Sequence, residues 1–319
     1  MVAELAGCSV MSASRALNGV DISSEVAERV KQAAATLGYV PNVSARRLRG
    51  GRTRTVGLLM NVEFDPRTEV MASLDCLIHE MEQAGHQVLL SFARGDSQRI
   101  TDHLEGFLSR GVDGLFFWQA EPSRLLAQYR AIGLPIVAIG SRHEQCSELP
   151  LVTFDTGPAF AEMGRRMRDL GHRDAFELTS PDRPALHEVF DVGTLSWARY
   201  DVSSDTDDLV SLVESLRTGA ERGTLVLCDY PWAIRLLQVC EELEVSVPDD
   251  LSVISFVDAI AAPMLRTPLS SLHSDYDGLG VAAAQSMLAA IEGASVADVY
   301  VPDSITWIER ASTGPAPRR

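Results

Sequence analysis

No stretch of the 319 residues comes near the roughly 20 consecutive apolar positions that a membrane-spanning helix needs, and nothing ahead of the first helical pattern reads as a secretory leader. Cysteine is scarce and scattered. Cys8, Cys76, Cys146, Cys228 and Cys240 form no close pair, and an odd number cannot be fully paired within one chain, so reduced thiols and a cytoplasmic setting are expected. The spacings of chemistry are missing too. His79, His86, His103, His143, His172, His187 and His273 show no metal-ligand spacing, and no Gly-x-Ser-x-Gly, P-loop or Gly-x-Gly-x-x-Gly follows a strand-like run. No catalytic residue, metal or cofactor is expected, and the histidines default to surface or helix-end positions, Asp102-His103 and the run from Asp169 to His172 among them. Basic charge is in deficit, with a net charge of −16 that rules out a uniformly basic nucleic-acid coat. The deficit is uneven. Residues 1–54 hold eight basic against four acidic side chains, a net of +4, which leaves −20 for the rest. A basic head on an acidic body meets phosphate with one end only.

What is present is concentrated at the front. Residues 3–19, Ala-Glu-Leu-Ala-Gly-Cys-Ser-Val-Met-Ser-Ala-Ser-Arg-Ala-Leu-Asn-Gly, read as the turn and second helix of a helix-turn-helix. Ala3, Leu5 and Ala6 close a first helix, Gly7 supplies the positive φ of a tight turn, and Cys8 fits as a small buried plug. Ser9 caps the next helix through its side-chain oxygen. Ala13, Ala16 and Leu17 recur at i, i+3 and i+4 and face inward, which turns Val10, Met11, Ser14 and Arg15 outward. Only six residues precede Gly7, so the first helix is expected to be short and marginal, as if truncated. Ser23 caps a third helix, with Glu25 in its first turn and Val26, Val30, Ala33, Ala34 and Leu37 on one face. Gly38-Tyr-Val-Pro-Asn42 ends it, and Val43 to Arg49 follows as a short basic helix.

The pattern Ala-x-x-Ala-Gly-x-Ser-x-x-Ser-x-Ser-Arg-x-Leu-Asn-Gly resembles the signature of the lac repressor family of bacterial transcription regulators, and the resemblance runs on through residues 23–54. It implies that Val10, Met11, Ser14 and Arg15 read the major groove, Arg15 as a bidentate guanine contact and Val10 or Met11 against a thymine methyl. Ser9, Ser12 and Asn18 would hold phosphates. Residues 41–52 would be a hinge helix in which Leu48 is wedged between base pairs of the minor groove beside Ala45, with Asn42, Arg46 and Arg49 near phosphates.

Beyond Arg54 short apolar runs alternate with helical patterns. Residues 55–60, 87–92, 114–118 and 135–139 read as strands separated by helices, and a second series has strands at 151–154, 174–178, 224–227 and 251–256. Such alternation implies βαβ units and parallel sheet. The ending, with strands at 269–273, 299–301 and 306–309 and a helix at 276–291, looks like elements that cross back between two lobes. Six punctuating motifs in order, from Gln-Ala-Gly85-His86 and Leu170-Gly-His172-Arg173 to Glu309-Arg-Ala-Ser-Thr313-Gly, extend the resemblance over nearly the whole chain. The fold expected is α/β: a helix-turn-helix head (1–40), a hinge helix (41–52) and a two-lobed periplasmic-binding-protein-like core (53–312) with two Rossmann-like parallel sheets. Lobe 1 takes about 53–153 and 275–302, lobe 2 about 154–272 and 303–312, and 313–319 form a tail too short and proline-rich for a leucine-heptad tetramerisation segment.

In such folds a ligand lies between lobes at strand carboxyl ends. Candidates there are Asn61, Phe64, Trp118, Arg142, Asp155, Asp229, Tyr230, Trp232, Phe256 and Asp258, a set of aromatic faces, carboxylates and an arginine suited to a polyhydroxylated ligand. The chain departs from the family at Asp229-Tyr230, where Asn-Asp is usual, at Val257, and over residues 180–196, where the usual arginine is replaced at best by Arg183 or His187. The pocket is therefore atypical.

Together these observations point to a homodimeric, cytoplasmic transcription regulator, most often a repressor in this family, that binds a pseudo-palindromic operator and answers to a small effector such as a carbohydrate. One rival is a cytoplasmic small-molecule binding protein with a vestigial DNA head. Another is a sugar-modifying enzyme on the same scaffold.

Overall fold

The computed structural model describes residues 1–17, 22–39, 52–61, 68–118, 131–140, 149–179, 195–201, 206–218 and 224–317, and divides the chain into two compact units, Met1–Arg54 and Thr55–Arg319.

The first unit holds three helices: α1 (Val2–Leu5), α2 (Val10–Leu17) and α3 (Ser24–Thr36). Its core is made of very small side chains. Ala6, Ala13, Ala16, Val30 and Ala33 are buried together, with Val2, Ala3, Leu17, Ile22, Val26 and Ala27 packed around them. Gly7, at φ +62°, turns the chain between α1 and α2, a conformation that costs a residue with a Cβ. Two local expectations need correction. Cys8 is half-buried at the edge of this core instead of plugging it. Ser23 stands at the N-cap of α3, but its side chain makes no capping bond, so Glu25 is the group in that first turn that answers the helix dipole.

The second unit contains two six-stranded sheets. In the first, β1 (Thr55–Met60), β2 (Gln87–Phe92), β3 (Gly114–Trp118), β4 (Ile136–Ile139), β5 (Leu151–Phe154) and β11 (Val299–Val301) run in the order β11-β5-β4-β3-β1-β2, all parallel. Sandwiching by helices explains why its central strands are unbroken apolar runs. Phe116 of β3 faces the cluster formed with α4 (Thr68–Gln83) and α9 (Tyr276–Ile291), while Phe117 faces the one formed with α5 (Ser97–Arg110). α4 and α9 cross so closely that a Cβ on Gly280 would lie 2.1 Å from the Ser73 carbonyl oxygen.

The second sheet comprises β6 (Asp174–Thr179), β7 (Ser196–Asp201), β8 (Leu225–Cys228), β9 (Ser252–Ser255), β10 (Ser270–Ser274) and β12 (Ile305–Ile308), in the order β12-β10-β9-β8-β6-β7. Only the β10–β12 pair is antiparallel. α7 (Thr206–Thr218) and α8 (Tyr230–Glu242) cover one face of this sheet, and α6 (Gly157–Asp169) packs on the other.

The chain passes between the two sheets three times, after Phe154, after Ser274 and after Val301, and Ser304 ties these passages together. It is 1% exposed; its hydroxyl accepts from the Asp155 N–H at 3.1 Å and its carbonyl from the Asp275 N–H at 2.7 Å. The segment after β12 is sewn into the second sheet. Ser312 Oγ donates to the Val253 carbonyl at 2.6 Å and accepts from the Ser270 N–H at 2.8 Å.

Candidate DNA-reading face and ligand cleft

On the first unit, the Ser9 side-chain oxygen accepts from the Ser12 N–H at 3.0 Å and lies 2.9 Å from the Ser12 hydroxyl, so the expected cap of α2 is formed and both hydroxyls are engaged within the head. With α2 anchored inward through Ala13 and Ala16, Val10 and Met11 stand 77% and 74% exposed in its first turn. Arg15 is exposed one turn beyond Met11, and Ser14 is partly exposed one turn beyond Val10. Asn18, Asn42, Ala45, Arg46, Leu48 and Arg49 lie outside the described residues.

In the second unit each sheet has one place where neighbouring strands lead off in opposite directions, between β1 and β3 and between β6 and β8. Crevices open at the carboxyl ends of such strand pairs. Asn61 follows β1; its N–H donates to the Trp118 carbonyl at 3.0 Å and its side-chain oxygen accepts from the Gly95 N–H at 2.9 Å, closing the turn after β2. Asp229 follows β8 and starts α8 at its N-cap, with half-buried Tyr230 and Trp232 in the first turn and Arg235 6.0 Å from the Trp232 ring. Phe256 follows β9, its N–H donating to the Cys228 carbonyl at 3.0 Å and its ring 6.2 Å from that of Phe160. Asp155 leaves β5 half-buried, and its N–H is shared between the Val301 carbonyl and Ser304.

Two candidates turn out to serve the fold. Trp118 is 3% exposed and packs with Leu58, Met60 and Ile139, so its ring is core and offers no open stacking face. Asp258 is bound by Arg310, whose guanidinium donates to it at 2.6 Å and also to the Leu269 carbonyl, and by the Ser271 hydroxyl at 2.6 Å. Burial by itself would raise the Asp258 carboxyl, but the Arg310 and Ser271 bonds and the charges of Arg310 and His273 outweigh it and hold the group below its ordinary range. Phe64, Arg142, Arg183 and His187 lie outside the described residues. Sequence reasoning missed Ser304 altogether and saw Arg310 only as punctuation; the signal available was the Glu-Arg-Ala-Ser-Thr run itself. His172, expected at a helix end, is there but is 1% exposed, and burial lowers its pKa against the opposing bond to the Gly314 carbonyl. Among the described residues no group of His, Cys, Asp and Glu could hold a metal, and no helix is long and apolar enough to cross a membrane.

Comparison with known proteins bears on both units. The model described as bacterial regulatory proteins, lacI family, matches residues 2–42, and that of a periplasmic binding protein-like domain matches residues 165–313. The chain is 28% identical to the HTH-type transcriptional regulator AglR of Rhizobium meliloti, covering 100% of this chain and 94% of that protein. It is 26% identical to the ribose operon repressor of Haemophilus influenzae over 91% of each. Its fold is similar to that of the lac repressor dimer bound to operator and the anti-inducer ONPF, with a TM-score of 0.76 at 20% identity over 98% of this chain and 97% of that one.

Proposed function

We infer that this chain, which belongs to the lacI family of bacterial regulatory proteins, is a sequence-specific DNA-binding transcriptional regulator whose grip on DNA is set by a small effector held between the two lobes of its core. The observation that carries this reading is the head: a capped α2 with its alanines inward and Val10, Met11, Ser14 and Arg15 outward, on a unit of net charge +4 in a chain of −16. Residues 1–40 act as the DNA-binding head, 41–52 as the hinge helix with Asn42, Ala45, Arg46, Leu48 and Arg49 toward DNA, and the lobed core as dimerisation and effector body. Ser9, Ser12 and Asn18 hold phosphates.

The regulator acts as a homodimer on a pseudo-palindromic site, because two identical heads related by a twofold read two equivalent half-sites about one helical turn apart. The effector sits at the exits of β5, β8 and β9 beside Asp155, Asp229, Tyr230, Trp232 and Phe256, where carboxylates and aromatic faces suit hydroxyls and sugar rings. A relative named for the ribose operon supports a carbohydrate. The cleft binds and does not turn over its ligand, and the protein works in the cytoplasm, where its DNA is.

Mixing the purified chain with sheared genomic DNA at physiological salt and sequencing what is retained tests this. Recovery of one palindromic site of about 14 to 20 base pairs, spanning two half-sites, is the expected result. Retention without any shared site, both alone and with a panel of sugars added, would sink the reading.

A further inference from the structure

Of the three passages between the sheets, the last has almost no backbone freedom. The ring of Pro302 fixes its φ. Asp303 stands in the left-handed region at φ +49°, and Ser304 is buried and bonded through both its hydroxyl and its carbonyl. The other two passages are fastened to it through backbone N–H groups. Asp275 donates to the Ser304 carbonyl at 2.7 Å. Asp155 is different, because its N–H has two acceptors, the Val301 carbonyl at 3.3 Å and the Ser304 hydroxyl oxygen at 3.1 Å. Both distances are long for such bonds, so neither acceptor holds the proton outright.

The two acceptors belong to different bodies. Val301 ends β11, and its bond to Asp155 is the last rung of the ladder that joins β11 to β5 in the first sheet. Ser304 stands immediately before β12 of the second sheet. The residue after Asp155, Thr156, caps α6 with no side-chain bond, so the cap adds no second hold on this passage. A turn of one lobe against the other has to be absorbed by a few residues at such passages. We propose that the Asp155 N–H is the bond that changes hands in that turn. At one lobe angle it completes the β11–β5 ladder through Val301, and at the other it goes over to Ser304, with residues 302–304 as the axis. Ser304 is therefore a positioning residue that acts through Asp155. This rests on the reading above that an effector lies between the lobes beside Asp155, and adds the bond on which it works. A ligand shifts two lobe angles only by binding one of them better, and a ligand held by Asp155 holds the residue whose N–H distinguishes them.

The test uses the full chain with Ser304→Ala, which removes one acceptor, and Ser304→Thr, which keeps a hydroxyl. Spin labels on ketone-bearing side chains, introduced at the exposed positions of Glu82 in α4 and Glu242 in α8, report the distance between lobes and leave the native thiols untouched. Labelled chain is diluted with unlabelled chain so that distances within one protomer dominate. Wild type and Ser304→Thr should show two distance populations, and Ser304→Ala one. On the operator recovered by genomic selection, Ser304→Ala should shift affinity about five-fold, the worth of one hydrogen bond, and Ser304→Thr should return it to the wild-type value. A serine that only supports the fold would lower the melting temperature of Ser304→Ala and leave both readouts unmoved, which would overturn the proposal. A single distance population in the wild type would overturn it as well, with no variant needed. If selection yields no operator, the regulator reading falls, and the distance measurement, made without DNA, still decides the hinge.

Discussion

His172 Nε2 lies 3.0 Å from the Gly314 carbonyl oxygen, a contact that joins the end of α6 to the chain beyond β12. Since a carbonyl only accepts, Nε2 carries the proton, and Nδ1 is left to accept from the Thr224 hydroxyl at 2.7 Å. The ring is thus held as the neutral tautomer in a site that excludes water. Two motifs that look unrelated in sequence, Gly-His-Arg and Glu-Arg-Ala-Ser-Thr-Gly, are halves of one seam.

A pH dependence follows. The unfolded histidine takes up a proton near its ordinary value of 6.5, and the folded one, with a lowered pKa, resists it. Below pH 6.5 the unfolded chain therefore binds more protons, and stability should fall as pH drops through that window. Asp258, whose folded pKa is also lowered, should add a second loss at more acidic pH, below its ordinary 3.8. Urea midpoints measured from pH 8 to 4 should show the first decline in the wild type and lack it in His172→Gln; an unchanged slope in that variant would contradict the assignment.

Removing the Arg310 side chain should cost about 3 kcal/mol, because it leaves Asp258, 13% exposed, as a buried carboxylate without its cation. Asp258→Asn in the same background should restore part of the loss, and a double-mutant cycle by chemical unfolding measures it. Two independent single effects that merely add would show that the pair is not coupled.

Gly280→Ala should lower the melting temperature. Its Cβ has no room beside the Ser73 carbonyl, so α4 and α9 must move apart, at a cost of about 1–3 kcal/mol. Calorimetry of the full chain suffices, and an unchanged transition would mean that the helices yield freely.

Ser9→Ala should loosen the start of α2 by about 1 kcal/mol, the usual value of a capping hydroxyl. Hydrogen exchange at the Ser12 amide is the direct readout and should speed up about five-fold, while amides of the second unit keep their rates.

Much of the fold was legible because buried parallel strands leave little freedom to the sequence. β1, β2, β3 and β5 and helix α9 have the bounds that their apolar runs or helical spacing suggest. β7, Ser-Trp-Ala-Arg-Tyr-Asp, went unread: it lies at a sheet edge with one neighbour, β6, so its pattern is mixed and polar. The site was less legible, for a different reason. An aspartate after a strand can serve a ligand or a distant arginine, and nothing near Asp258 in sequence reveals that Arg310, 52 residues on, returns to it. Trp118 was readable in principle, since it shares the parity of Phe116 along β3 and must point to the same helices.

The three crossings between the sheets also dictate an order of events on the ribosome. The first sheet lacks its edge strand until residues 299–301 have been made, although its other strands are complete by residue 154. The second cannot pair β10 with β12 before residue 308 emerges. The three helices of the head, all within residues 2–36, need nothing from downstream to meet one another. Synthesis therefore releases a folded head long before either half of the body can close, and nearly the whole second unit waits, incomplete and exposed to chaperones, for its last few strands.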